Sequence, residues 1–270
     1  MSANQLFQIE KTRGWRMGLR NLLRKENGEW WQTKRWWIQM LVWLVVIDGF
    51  LLFLLIGVPE AAILSGQPLS DAEVFSTALD ALFGIASMGI GIGVIIATQD
   101  EVIGEKLSGT AAWVLSKPSS RVAFYLSKLI SNSFSTLILM IGIPFLGAFA
   151  IMSNKNPEMS VGGFLSAVGA LIIHTFFYLS LSLMVGVFAE KRSVVLAVTM
   201  AGLLGGQLMM NIIKELLYFT PFGLSQIMSA IVSQGPLRIP GELWLPVGLT
   251  FLWSVIFILL SIWKIRRLEF

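Results

Sequence analysis

Six long, uninterrupted apolar runs constrain this chain more than any other feature. They cover residues 36–57, 74–98, 129–152, 162–189, 193–213 and 243–263. Each reaches or exceeds the roughly 20 residues needed to cross a ~30 Å hydrocarbon layer at ~1.5 Å per residue. Their continuity selects helices, because a membrane barrel reads as segments of about ten residues alternating inward and outward. With 55% of the 270 residues apolar and 13% charged, against about a quarter charged in a soluble domain, no single core in water would hide this much apolar surface. The fold expected is an all-α integral membrane protein with six transmembrane helices, an N-terminal cytoplasmic amphipathic helix, and an outer re-entrant or interfacial segment before the last helix.

The basic residues orient the bundle. An alternation that starts with a cytoplasmic N-terminus places seventeen of the twenty Lys and Arg inside: eight from Lys11 to Arg35, then Lys106, Lys117, Arg121, Lys128, Lys191, Arg192, Lys264, Arg266 and Arg267. Only Lys155, Lys214 and Arg238 fall outside. Short cytoplasmic loops carry the Lys and Arg excess, so an odd number of spans would put the C-terminal cluster on the wrong side. The expected location is the cell (inner or plasma) membrane, multi-pass, with both termini cytoplasmic. The net charge of +4 is read as a topology signal, not a nucleic-acid footprint, because the basic residues adjoin apolar runs. No cleavable signal is expected, since polar and basic residues precede a first run too long for a signal core. Cysteine is absent, which removes disulfides and thiolate chemistry.

Residues 1–35 read as an interfacial helix and linker, and residues 36–270 as the transmembrane domain. On a helical wheel Arg13, Arg16, Arg20 and Arg24 share one face while Trp15, Leu19, Leu22 and Leu23 share the other, as in a helix lying in the headgroup plane. Such a helix is either a basic anchor or a mechanical link to a cytoplasmic partner. Gly89 and Gly93 form a small-xxx-small pair that serves close packing within the bundle or a dimer face. Pro144 is expected to kink the third span. Residues 215–242 are too long for a plain turn and too broken by Pro and Gly to span, which predicts one or two short re-entrant or interfacial helices on the outer side.

The connection over residues 99–121 carries the functional signal. A link between spans needs four to eight residues, yet this one mixes Glu101, Glu105 and Lys106 with apolar residues and predicts a short amphipathic helix over about 110–115, closed by Pro118. A cytoplasmic helix of that kind suits docking into a groove on a soluble partner.

The stretch EKLSGTAAWVLSKPSSRVAFYLSKL, residues 105–129, resembles the signature of ABC-type exporter permeases of the type-2 class. The matching positions are Glu105, Gly109, Thr110, Leu115, Ser116, Pro118, Arg121 and Lys128. The run Ala111, Ala112, Trp113 and Val114 departs from the usual leucine-rich pattern. The resemblance implies an exporter permease that pairs with a second permease chain, the same or related, and with two ABC ATPase subunits. It makes Glu101, Glu105, Gly109, Thr110, Trp113, Leu115, Ser116, Pro118 and Arg121 the ATPase-coupling loop. Its members move drugs, peptides, lipids, glycans or ions.

The chain itself carries no phosphate-binding G-x-x-x-x-G-K-[ST]; residues 104–110 hold Gly, Lys and Thr in the wrong order. ATP and Mg are therefore expected on the partner ATPase, with no cofactor or metal bound here and no catalytic residue. HExxH and GxSxG are likewise missing. Two ionisable residues fall near mid-membrane, Asp48 and His174, where a charge costs about 2.5–3.5 kcal/mol on the lenient scale. They either pair and line the substrate path or find separate partners on neighbouring helices. An ion-coupled carrier using Asp48 and a non-transporting scaffold are the competing functions.

Overall fold

The computed structural model describes residues 14–210, 212, 220–235 and 240–268. Helix α1, Leu19–Trp31, precedes six helices long and apolar enough to cross a membrane. These are α2 (Arg35–Leu64), α3 (Asp71–Thr98), α6 (Arg121–Lys155), α7 (Val161–Phe188), α8 (Arg192–Met209) and α10 (Leu245–Arg267). Two short helices, α4 (Ile103–Leu107) and α5 (Thr110–Leu115), link α3 to α6. Helix α9, Leu224–Gln234, lies between α8 and α10. No strand occurs among the described residues.

Two starts lie outside the apolar runs, each for a local reason. Helix α3 begins at a capping box in which Ser70 accepts from the Glu73 amide while Glu73 bonds back to Ser70. Helix α6 begins eight residues before its apolar run because Ser120 caps it, accepting from the Ala123 amide at 2.9 Å. The added turns hold Ser127 and Lys128, which depress hydropathy without breaking the helix.

Prolines inside the spans are absorbed by widened turns. A proline lacks the N–H that its i−4 carbonyl would receive, and its ring crowds that carbonyl. Ahead of Pro144 the chain opens into a π-helical turn over Leu137–Gly142, and ahead of Pro59 into another over Phe53–Gly57. Two more occupy Leu44–Gly49 in α2 and Ala201–Gly205 in α8.

Helix α7 is the most buried span and packs against α3, α6, α9 and α10. Phe83, Phe145 and Phe164 meet within 6.2 Å between ring centroids, tying α3, α6 and α7 together. The Gly89 and Gly93 pair serves packing inside the chain, since the Trp43 indole of α2 fills the notch it leaves. Helix α9 buries Leu224, Ile227, Met228, Ile231 and Val232 against α3 and α7, so this part of the stretch 215–242 is covered by protein.

Candidate functional site

The charged residues converge at the end of the bundle where α2 and α7 meet the link between α3 and α6. Helix α1 lies there along the first half of α6. Its buried face is Leu22, Glu26 and Trp30, spaced four apart on one stripe. Trp30 Nε1 donates to Asn132 Oδ1 at 3.1 Å, and the Ser131 hydroxyl donates to Asn27 Oδ1 at 2.8 Å. The stripe brings the Glu26 carboxylate, 2% exposed, against the Lys128 ammonium, 1% exposed, at 3.1 and 3.2 Å.

Lys128 is also reached by Glu105 at 2.7 Å and Glu101 at 3.7 Å. A lone ammonium at this depth would cost several kcal/mol in lost hydration, and a ring of carboxylates offsets it. Glu26, Glu29 and Glu105 bring their oxygens close enough to hold a metal ion. The Lys25 ammonium already sits among them, at 3.1 Å from Glu26, 3.2 Å from Glu29 and 2.6 Å from Glu105. Burial pulls Lys25 down, but Glu105, Glu26 and Glu29 more than reverse this and leave it above its ordinary value. Burial likewise pushes the Glu26 carboxyl up, against the pull of Lys128 and Lys25.

The same link grips the other spans. Arg35, at the start of α2, donates to the Ala97 carbonyl at 2.9 Å, pairs with Glu101 at 3.4 Å and stacks 3.8 Å from the Trp30 ring centroid. Lys106 donates to the Val187 and Ala189 carbonyls at 2.9 and 2.8 Å, capping the C-terminus of α7. Asp100 pairs with Arg192, at the start of α8, at 2.8 Å. Arg121 donates to the Arg266 carbonyl at the end of α10, at 2.9 Å. The Ser120 amide donates to the Met17 carbonyl at 3.0 Å, and Gly18, at φ +77°, is tucked so close to Ser119 that a Cβ there would lie 2.7 Å from it.

The structure thus brings Glu101 and Glu105 of the sequence-predicted loop together at Lys128 and places Arg121 against the Arg266 carbonyl instead. Of the others, Gly109, Trp113, Ser116 and Pro118 are exposed, while Thr110 and Leu115 are half-buried. Gly109, at φ +74°, turns α4 into α5 in the left-handed conformation that glycine tolerates best. Thr110 bonds Ser108 at 2.9 Å, and Ser116 donates to the Trp113 carbonyl at 2.7 Å. In α5, Ala111 and Val114 are buried and Leu115 is half-buried, whereas Trp113 is 62% exposed with the Lys117 ammonium 3.5 Å from its ring. Pro118 is exposed.

The N-terminal face needs correction. Leu22 is buried and Leu19 and Leu23 half-buried on a helix seated on α6, so much of the apolar face expected to meet lipid meets protein. Arg20 and Arg24 are exposed, Arg16 stacks on exposed Trp15, and Arg13 lies outside the described residues. Lys25, Glu26, Glu29 and Arg35 escaped the sequence reading as site residues, whereas Lys106 entered it only as one of the charges of the link. The signal for Glu26 was there: a carboxylate midway between Leu22 and Trp30 on an otherwise apolar stripe.

Asp48 and His174 do not pair. His174 is fully buried, with Nδ1 3.2 Å from the Pro221 carbonyl and Nε2 3.2 Å from the Ser87 carbonyl, so it pins α3 and the start of the α9 segment to α7. Asp48 lies in the first π-helical turn of α2, against Gly147 of α6, where a Cβ would come within 2.7 Å of its carboxylate.

A family model described as ABC-2 family transporter protein matches residues 20–267. No curated protein matches the chain.

Proposed function

The chain belongs to the ABC-2 family and is a membrane permease of an ABC transporter, and from that premise we propose that it is an exporter permease driven by separate ATPase subunits through residues 99–121. The observation that carries this reading is the Lys128 cluster. Glu105 of the link, Lys128 of α6 and the pair Lys25 and Glu26 of α1 are in mutual contact, so a push on the link reaches α1 and α6 together. Lys106, Asp100 and Arg121 carry the same push to α7, α8 and α10.

The outward face of this assembly supports a docking role. Trp113, with Lys117 over its ring, and Leu107 are exposed, which gives an ATPase apolar anchors with a charged rim. The bias of basic residues supports placing this end, and both termini, in the cytoplasm. Two ATPase subunits and a second permease chain complete the transporter in this reading. ATP and Mg act on the ATPase, while the residues here hold the spans to the moving link.

Purification in mild detergent tests the reading. An ATPase subunit is expected to co-purify with the wild-type chain. Glu105→Ala is expected to uncouple ATP hydrolysis from transport. Gly109→Trp forces a bulky residue into a positive φ and is expected to swing α5 and release the subunit. A chain that purifies without an ATPase, with transport that follows an ion gradient, would overturn it.

A further inference from the structure

The exposed side of α1 joins two features that nothing above uses. The first is a cleft of about 660 Å³ along that helix, lined by Arg20, Arg24, Asn27, Trp31 and Gln32. Neither Arg20 nor Arg24 makes an ion pair among the described residues, so the cleft presents two free guanidinium groups one helical turn apart. The second is a groove of about 400 Å³ between α6 and α7, walled by Ile130, Phe134, Leu137, Ile172, Phe176 and Leu179. Ile130, Phe134, Leu137 and Ile172 are exposed there.

The two are continuous. Trp31 of the cleft meets Phe134 of the groove at 6.3 Å between ring centroids. Asn27 of the cleft is bonded to Ser131, one residue past Ile130. From Leu129 to Ile141 the groove follows α6 for about 18 Å at ~1.5 Å per residue, away from α1 and toward mid-membrane. A cationic, hydrogen-bonding mouth at the headgroup level thus opens onto an apolar trough of acyl-chain length, with a tryptophan at the junction where such rings favour the interface.

We infer that this combined site binds one anionic glycerophospholipid. Its phosphate rests between Arg20 and Arg24 with Asn27 and Gln32 as further donors, and an acyl chain lies in the groove between α6 and α7. Charge complementarity selects the occupant: a zwitterionic lipid fills the groove equally well but brings its own cation to a mouth that already holds two. The site stands on the geometry of α1 and α6 and does not depend on ATPase coupling.

Native mass spectrometry of the full chain, exchanged in mild detergent against equal amounts of phosphatidylglycerol and phosphatidylcholine, tests it. One phosphatidylglycerol per chain is expected, retained about thirtyfold over phosphatidylcholine, as two surface arginines provide. Arg20→Ala with Arg24→Ala should abolish that preference at an unchanged melting temperature, since both side chains are exposed. Ile130→Trp, which fills the groove, should lower retention of both lipids. Arg16→Ala, outside the cleft and stacked on Trp15, should change neither. Equal retention of the two lipids by the wild-type chain would overturn the inference. So would a double variant that keeps its phosphatidylglycerol but loses its ATPase subunit, because the arginines would then serve the partner.

Discussion

The basic end and the middle of this bundle solve opposite problems. At the basic end Lys128, Lys25 and Arg35 are enclosed by Glu26, Glu29, Glu101 and Glu105, and the link between α3 and α6 is tied to the ends of α2, α7, α8 and α10. In the middle the helices meet through apolar surfaces, glycine notches and widened turns. Several buried polar atoms there have no hydrogen-bond partner among the described residues, including Asp48 Oδ1, Ser135 Oγ, Thr136 Oγ1, Thr175 Oγ1 and Ser182 Oγ. At the basic end Glu105 Oε2 is also unpartnered among the described residues, but its other oxygen is held by Lys25 and Lys128. An unpaired buried donor or acceptor costs about 1–3 kcal/mol, so the middle has more to gain from rearranging and the end has ion pairs to lose. A stiff end and a deformable middle are what a transporter driven from one side requires.

The largest expected effect attacks the stiff end. Lys128→Met leaves three carboxylates facing an apolar side chain and should destabilise the chain by about 3–5 kcal/mol, read as a fall in detergent melting temperature. Asp48→Asn, in the middle, should change stability by less than about 1 kcal/mol. Equal losses in the two variants would erase the contrast. Next is Gly93→Ala, where a Cβ would stand 2.2 Å from the Trp43 ring; overpacking of this kind costs about 1–3 kcal/mol. A neutral result would mean that α2 and α3 slide apart freely.

Smaller still is Trp113→Ala, on an exposed position. Stability should stay within about 0.5 kcal/mol while ATPase binding weakens in a pull-down, separating the docking face from the hub beneath it. The smallest effect is alkaline. Because Lys25 is raised in the folded protein, its contribution is fully present below its unfolded value of 10.5 and is lost as pH rises through the folded value. Melting temperature should therefore fall more steeply above about pH 10.5 in the wild-type chain than in Lys25→Met.

Hydropathy sees what is apolar and continuous, so the six spans were legible from composition, and the Lys and Arg bias grouped one set of their ends. It missed the first turns of α6, where Ser127 and Lys128 look like loop but face a polar seam. It also missed the start of α3, although Ser70 and Glu73 spell a capping box. In the site, Glu105 and Lys128 were legible through a motif, whereas Lys25 and Glu26 looked like ordinary surface charges on an Arg-rich helix. Only their placement against α6 reveals the pairing, because a charge's partner 102 residues away leaves no local periodicity. The Asp48 and His174 pairing failed for a related reason. Equal depth in the membrane does not imply shared azimuth, and His174 faces α3 while Asp48 faces α6.

The central claim is that the basic end moves as one body while the middle deforms. The chain has no cysteine, so spin labels go only where they are placed. One pair at Arg24→Cys and Ala112→Cys, both exposed, spans the hub from α1 to α5. A second, at Ile56→Cys and Leu146→Cys, both exposed, spans α2 and α6 in the bundle. Pulsed electron–electron distances are measured on the transporter in nanodiscs, without nucleotide and with ATP trapped. The account predicts an unchanged distance for the first pair and a shifted one for the second; a shift confined to the first pair, with the second fixed, would contradict it.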